Sequence, residues 1–265
     1  QSVSTSHSIR APPAPGRPRA ARTYACIHIL DLPFLPIPNL DVQRKVHDAI
    51  YTHPSSVKAL AKWNAKIYMS MMLPQYEYMG RGKPPASVAD FKGKRLRALG
   101  GMGRAAKAIG AIPTTMPASE TYTALQRGTV DAIGFPYTYT FAAYKLDEIS
   151  DWYTTNMSLG SVNCPIVFNV DSYNALPDQY KKLLDDVKDG SYAAQGAAYA
   201  AKDKINVAKW AKNPKLTAVK IPEDQMANFR KIAGEPLWND WVKEMEGKIP
   251  ARELLDIVLK TAKGG

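Results

Sequence analysis

The 265-residue chain contains only two cysteines and four histidines, and it has no apolar run of about 18 residues. Without such a run there is no candidate transmembrane helix, and direct membrane insertion is not expected. Cys26 and Cys164 sit in unlike settings, one beside an Arg-, Ser- and Pro-rich beginning and one in a strand-like stretch. A disulfide between them is not expected, and cysteine content argues for no compartment. His7, His28, His47 and His53 lack metal-ligand spacing. No Ser-His-Asp or Cys-His arrangement suggests a nucleophile, so neither metal nor cofactor is expected. Acid is also missing from the beginning: nothing precedes Asp31, while Arg10, Arg17, Arg19 and Arg22 are interleaved with Ser2, Ser4, Ser6, Ser8, Pro12, Pro13, Pro15 and Pro18. That composition predicts a disordered basic arm over residues 1–26. The arm carries no aromatic or heptad partner that would make it a nucleic-acid-binding element, and no apolar core of a secretion signal.

What is present is an ordinary globular composition, 45% apolar and 22% charged. Thirty-five basic against 24 acidic residues give +11, and removing the four arginines of the arm leaves +7. A basic body suits an anionic solute, because a positive field raises the encounter rate with anions. The length permits one or two domains, and the motif layout favours two.

The most informative stretch runs from 90 to 139. Asp90-Phe-Lys-Gly-Lys-Arg-Leu-Arg-Ala-Leu-Gly-Gly-Met-Gly predicts a strand over 95–99, because charged and apolar side chains alternate there, with Arg97 near its carboxyl end. Gly100, Gly101 and Gly103 allow a tight turn into a helix over 104–109 that Gly110 closes. A short strand over 111–116 follows, then a helix capped by Ser119 and ending at Gly128, then a strand over 129–135. In open α/β sheets, ligands sit off the carboxyl ends of the strands, which puts Arg97 at a crevice. Asp131 and Glu120 are read as structural, one opening a strand and the other at a helix start.

Three linked segments, 90–97, Ile109-Gly-Ala-Ile-Pro-Thr-Thr-Met116 and Ser119-Glu-Thr-Tyr-Thr-Ala-Leu-Gln-Arg-Gly-Thr-Val-Asp-Ala132, together resemble the solute receptors of TRAP transporters, the tripartite ATP-independent periplasmic carriers. The likeness extends over roughly residues 30–245. It implies an α/β fold of two domains forming a periplasmic-binding-protein-like clamshell with a long spine helix. Domain I would comprise 27–74 and 163–202, and domain II 75–162 and 203–265. It further implies a periplasmic receptor, not an enzyme, that delivers a small organic acid to the transporter's membrane subunits. In such receptors the arginine matching Arg97 pairs with the solute carboxylate, and Phe135 stands where a side chain lies against the solute. Tyr137 and Asn163 become candidate hydrogen-bond donors near the hinge. Glu77 falls where certain sialic-acid receptors have a second arginine, which argues against that ligand class. Gly134 replaces a carboxylate that helps some relatives coordinate a cation, which argues against a metal. The family also begins with a strand, helix and strand ahead of a segment like Leu30-Asp-Leu-Pro-Phe-Leu35, so a partial or mistranslated start and an incomplete cleft wall are expected.

The remaining pattern predicts helices over 40–51 and 56–63, a buried parallel strand over 67–73 with core-filling methionines, and a strand over 163–169. A very long helix follows from Pro177 to about Lys212, in which Gly190 and Gly196 are candidate bends. A strand over 216–221 and helices over 223–232, 236–245 and 252–262 complete the chain. Two other readings compete. Gly101-Met-Gly103 imitates the dinucleotide fingerprint of an NAD-dependent oxidoreductase, with Glu120 as the ribose acid, although Glu120 lies in the next helix. A receptor feeding an ATP-driven importer would share the clamshell.

Overall fold

The computed structural model describes residues 25–264, so the arm lies outside the described residues apart from Ala25 and Cys26, both of which are buried. The first described segment, a 3-10 turn at Ile27–Asp31, leads to α1 (Leu40–Tyr51), capped by the Asn39 side chain accepting from Val42 N at 2.9 Å. Next come α2 (Pro54–Ala61), β1 (Ala65–Ser70) and β2 (Tyr76–Gly80). The central motif supplies β3 (Arg95–Arg97), α3 (Gly100–Ala108), β4 (Ile112–Thr114), α4 (Thr121–Gln126) and β5 (Ala132–Pro136). After α5 (Tyr139–Ala143) and β6 (Trp152–Thr154), the chain returns through β7 (Pro165–Asn169) and α6 (Val170–Asn174) to α7 (Asp178–Ala211). It ends with β8 (Thr217–Val219), α8 (Glu223–Ala233), α9 (Glu235–Met245) and α10 (Ala251–Lys263).

Six strands form one sheet in the order β4-β3-β5-β2-β6-β8. β3 runs parallel to β4 and β5, whereas β2 is antiparallel to both of its neighbours. Each face buries its own core. Tyr78, Phe91, Leu96, Met102 and Trp152 fill one, and Met79, Leu125, Ile133, Phe135 and Trp210 fill the other. A separate core joins Ile27, Ile29 and Leu30 to Val42, Val46 and Ile50 of α1 and to Leu254, Leu255 and Val258 of α10. The carboxyl-terminal helix packs with 27–51 and, in the same core, with Trp241 of α9.

β1 and β7 make a second, two-stranded sheet, and they pair antiparallel. The expected parallel, fully buried strand over 67–73 is thus corrected: most of β1 is half-buried and Met71 is exposed. A continuous apolar run signals burial but carries no information on strand direction. Ser119 is likewise not a cap, because a 3-10 turn at Ala118–Glu120 precedes α4 and Thr121 Oγ1 bonds back to Ala118 O at 2.6 Å.

α7 runs unbroken for 34 residues across Gly190 and Gly196 and ties the two bodies together. Near its first half, Tyr192 Oη accepts from Ser70 N at 2.9 Å and Gln195 Oε1 from Met72 N at 2.8 Å. Further along, Asp203 accepts from Thr138 N and Oγ1, both at 2.7 Å, and Lys209 and Trp210 hold Asp147 at 2.7 and 2.9 Å. One stiff rod is fastened at one end to the small sheet and at the other to the large one.

His47 of α1 is buried with Nδ1 2.7 Å from Ser70 Oγ, and burial depresses its pKa from 6.5 to about 3. The folded ring stays neutral while the unfolded ring protonates near 6.5. Its stabilising contribution is therefore complete above that pH and falls as pH falls toward 3. Between pH 7 and pH 5 the loss should amount to about 2 kcal/mol. Urea unfolding of wild type and His47→Asn at the two pH values measures it as the difference between their slopes. Equal slopes would show that His47 is not the source.

Candidate functional site

Alternation along β3 sends Leu96 to one face of the sheet and Arg97 to the other, and the flanking strands β4 and β5 wall the arginine in. Arg97 is 3% exposed. Its Nη1 donates to Gly134 O at 2.8 Å, its Nη2 approaches Met116 O at 3.4 Å, and its guanidinium carbon lies 4.4 Å from the centre of the Phe135 ring. Phe135 is in turn stacked on Tyr144 at 5.3 Å. The Nε of Arg97 is buried with no partner, and among the described residues no carboxylate pairs with this arginine. Burial pulls its pKa below the ordinary arginine value, against which the neighbouring Tyr76 phenol acts. Even so, a guanidinium keeps its charge. The side chain is a buried cation held by carbonyl oxygens, an aromatic face and the neighbouring Tyr76 phenol, with its Nε–H unpartnered.

Tyr76, at the start of β2, is buried within electrostatic reach of Arg97, Tyr139, Asp31 and Cys164. Tyr139 stacks on Tyr199 of α7, with ring centres 4.9 Å apart. Asp31 belongs to the other body. Its Oδ1 accepts from Asn163 N at 2.6 Å and Asn163 Nδ2 at 2.8 Å, and its Oδ2 lies 2.9 Å from His28 Nδ1. That hydrogen bond to Asp31 raises the His28 pKa. The ends of β2, β3 and β5, the spine helix and the 27–31 turn thus converge where the two bodies meet.

Of the residues singled out from sequence, Arg97 and Phe135 are brought into contact, and Asn163 reaches the same region through Asp31. Tyr137 is placed differently, half-buried against Tyr153 and Trp210 at 6.3 and 6.2 Å. Glu77 is 3% exposed, and its oxygens accept from Thr154 Oγ1 at 2.5 Å, Met157 N at 3.0 Å and Ser158 N at 2.8 Å. Burial pushes that carboxyl up to about 7 against the pull of these donors. Its bonds staple β2 to the 154–158 segment. Tyr76, Tyr139, Tyr199 and Asp31 were not singled out, although Tyr192 and Tyr199 are seven apart and so share one face of α7. Asp131 is structural as read, pairing with Arg95 Nη2 at 2.6 Å.

Two shallow surface depressions of about 620 Å³ each, one beside Val88, Lys92 and Asp224 and one beside Arg104, Asp240 and Glu244, include neither Arg97 nor the tyrosines. Neither collects an unpartnered buried group, so the chemistry points to the junction instead. Among the described residues no group of three or more His, Cys, Asp or Glu is arranged to hold a metal, and no helix is long and apolar enough to cross a membrane.

The glycine turn is closed to a nucleotide. A Cβ on Gly101 would lie 2.3 Å from Asp31 O, 2.7 Å from Pro33 Cδ and 2.9 Å from Leu32 Cα, so protein backbone occupies the place a pyrophosphate would need.

The sequence profile of the bacterial extracellular solute-binding proteins of family 7 matches residues 14–244. The ectoine-binding periplasmic protein TeaA of Halomonas elongata is 26% identical over 221 residues, 75% of this chain and 60% of that protein. The solved structure of the periplasmic ectoine-binding protein from the TeaABC TRAP-transporter of the same organism matches with a TM-score of 0.77 at 21% identity, over 93% of this chain and 79% of that one. A TRAP solute binding protein from Rhodoferax ferrireducens, in complex with copurified benzoate, matches with a TM-score of 0.76 at 21% identity, over 93% and 76% of the two chains. The chain spans 50 to 60% of the length of the curated relatives it matches. These relatives are solute-binding proteins, the two solved ones of TRAP transporters, and the closed glycine turn speaks against the oxidoreductase reading.

The two glycines of the apparent fingerprint should respond oppositely to a methyl group. Gly101→Ala forces backbone apart and should destabilise the fold by about 1–3 kcal/mol. At Gly103 the nearest atom to a Cβ is 3.5 Å away, so Gly103→Ala should be neutral or stabilise by up to about 1 kcal/mol. Denaturant midpoints of the two variants decide, and equal effects would contradict the close approach of 31–33 to α3.

Proposed function

The chain belongs to the bacterial extracellular solute-binding proteins of family 7, and on that premise we propose that it captures a small organic acid anion between two lobes in the periplasm and hands it to the membrane subunits of a TRAP transporter. One lobe comprises 27–74 and 163–202 together with α10, and the other 75–162 and 203–250. The observation that carries the reading is the buried Arg97 guanidinium with an unpartnered Nε and no counter-ion among the described residues. Leaving a charge buried and unpaired is costly, and an arriving carboxylate relieves that cost while accepting from two guanidinium N–H groups at once. A charged hydrogen bond contributes about 1.5–3 kcal/mol, whereas micromolar affinity needs about 8. Arg97 therefore orients the acid, and burial of its carbon skeleton as the lobes shut supplies the remainder. Asp31 and Asn163 lie where one lobe passes to the other, so a solute there touches both lobes only when they are closed, and binding shifts the population toward closure. No reaction is performed on the solute.

The discriminating variant is Arg97→Met, which keeps the volume and removes the charge. A structural arginine would be missed, and the fold would weaken. A binding arginine without a counter-ion should instead leave unfolding stability unchanged or raise it by about 1 kcal/mol or more, while carboxylate binding is abolished. Paired calorimetry and urea unfolding test both parts. Unchanged affinity for every carboxylate bound by wild type would contradict the proposal.

A further inference from the structure

Resting on the two-lobe receptor reading above, we propose that Glu77 is the positioning residue of the hinge: its carboxylate ties one chain crossing to the other and so fixes the pivot about which the lobes shut. All five residues of β2 are buried, and among the described residues Glu77 has no ion pair. A side chain that only filled this core would be apolar, as Met79 is two residues on. Glu77 instead directs both oxygens at one segment. Oε2 accepts from Thr154 Oγ1 at 2.5 Å and from Met157 N at 3.0 Å, and Oε1 accepts from Ser158 N at 2.8 Å.

That segment is where the chain leaves the large sheet. β2 is entered from the crossing at 70–76, and beyond β6 the chain returns through 158–163. The two crossings lie side by side, with Tyr76 N donating to Gly160 O at 2.8 Å and Leu159 N to Tyr76 O at 3.2 Å. Ser158 has a φ of 41°, a region that a side chain other than glycine occupies only when its surroundings hold it there. From the other lobe, Phe34 N donates to Leu159 O at 3.1 Å. The bonds from Glu77 to 157 and 158 stop one residue short of these contacts, so they set the last fixed point of the larger lobe. Movement begins at 159.

The chemistry requires a carboxylate. All three partners donate, since Thr154 Oγ1 itself accepts from Tyr78 N at 2.8 Å. An ionised carboxylate accepts on both oxygens, whereas an amide or a carboxylic acid turns an N–H or O–H toward a donor and loses a bond. Burial pushes the Glu77 carboxyl up to about 7 against the pull of its donors, so that loss sets in close to neutral pH. Around it stand Phe135 directly opposite on β5, the Tyr78 phenol on its own strand, Tyr153 on β6, and Tyr137 with Asp203 of α7 beyond it. Burial raises all three phenols, which stay neutral, and it is Glu77 that changes charge. Its folded value lies above the ordinary 4.5, so ionisation lowers global stability as pH rises through 7 while it completes the hinge bonds. Global stability and hinge order therefore move in opposite directions.

The test is amide hydrogen exchange of the full chain without solute at pH 6 and pH 8, each rate corrected for intrinsic exchange, beside urea unfolding and small-angle scattering. In wild type, protection of 155–163 should be about tenfold lower at pH 6, following the protonated fraction of a group that titrates near 7, with β3 and β5 unchanged and a larger mean radius of gyration. Glu77→Gln should show the low protection and the larger radius at both pH values, with a urea midpoint at pH 8 no lower than that of wild type. His28→Asn should keep the wild-type tenfold difference, which decides the matter if Glu77→Gln does not fold. Equal wild-type protection at the two pH values would overturn the proposal, and a pH dependence that survives in Glu77→Gln or vanishes in His28→Asn would do the same by assigning it to His28 beside Asp31. Lost protection with an unchanged radius, or with a lowered urea midpoint at pH 8, would make Glu77 a purely structural residue. No readout needs a solute, so each of these failures leaves the receptor reading to the Arg97→Met titration.

Discussion

Arg97 is a cation sunk between two parallel strands with no acid among the described residues to meet it, and the organisation of the larger lobe follows from that uncompensated charge. The strand is only three residues long, yet its neighbours on both sides supply the carbonyls of Gly134 and Met116 that hold the guanidinium in place. Phe135 gives it an aromatic floor. These contacts preorganise the group without neutralising it. An arginine serving only the fold would be expected beside a carboxylate, as Arg95 is beside Asp131 two residues earlier on the same strand. By alternation the two arginines stand on the same side of β3, but they differ in burial and in partner.

A cation of this kind becomes a receptor only if the rest of the solute is enclosed, and the chain has the mechanical parts for it. α7 is one rigid element fastened near Ser70 and Met72 on one side and near Thr138 and Asp147 on the other. Relative movement of the lobes must then be absorbed where the chain crosses between them, around 70–76 and 158–163. Asp31 sits across that crossing and is bonded to Asn163, while backbone of the same segment fills the space at Gly101. The glycine turn that imitates a phosphate-binding loop has a different physical use, close approach of a helix start to a neighbouring chain segment.

Much of this was legible from residue patterns. Alternation at 95–97, the glycine turn, and the proline-free run after Pro177 located β3, α3 and α7, and the order of those motifs gave the fold class. Alternation placed Arg97 near the carboxyl end of its strand, whereas its pairing with a carboxylate and the place of Phe135 against a solute come from the family resemblance. Local pattern fails where placement depends on distant partners. The direction of β1 is decided by pairing with a strand 100 residues away in sequence, and α10 is drawn to α1 by complementary apolar faces that no local signal connects. The contacts of Tyr137 with Tyr153 and Trp210, and of Glu77 with the 154–158 segment, likewise join segments that no local pattern links. Tyr76, Tyr139 and Tyr199 were hidden because a site built from three separate segments has no signature within any one of them.

The central claim is that the free Nε–H of Arg97 awaits a carboxylate. A crystal structure of the protein with a bound small carboxylic acid tests it most directly. The account predicts the carboxylate oxygens at about 2.7–2.9 Å from Arg97 Nε and one Nη. An acid seated elsewhere, with Arg97 Nε still unpaired, would contradict it.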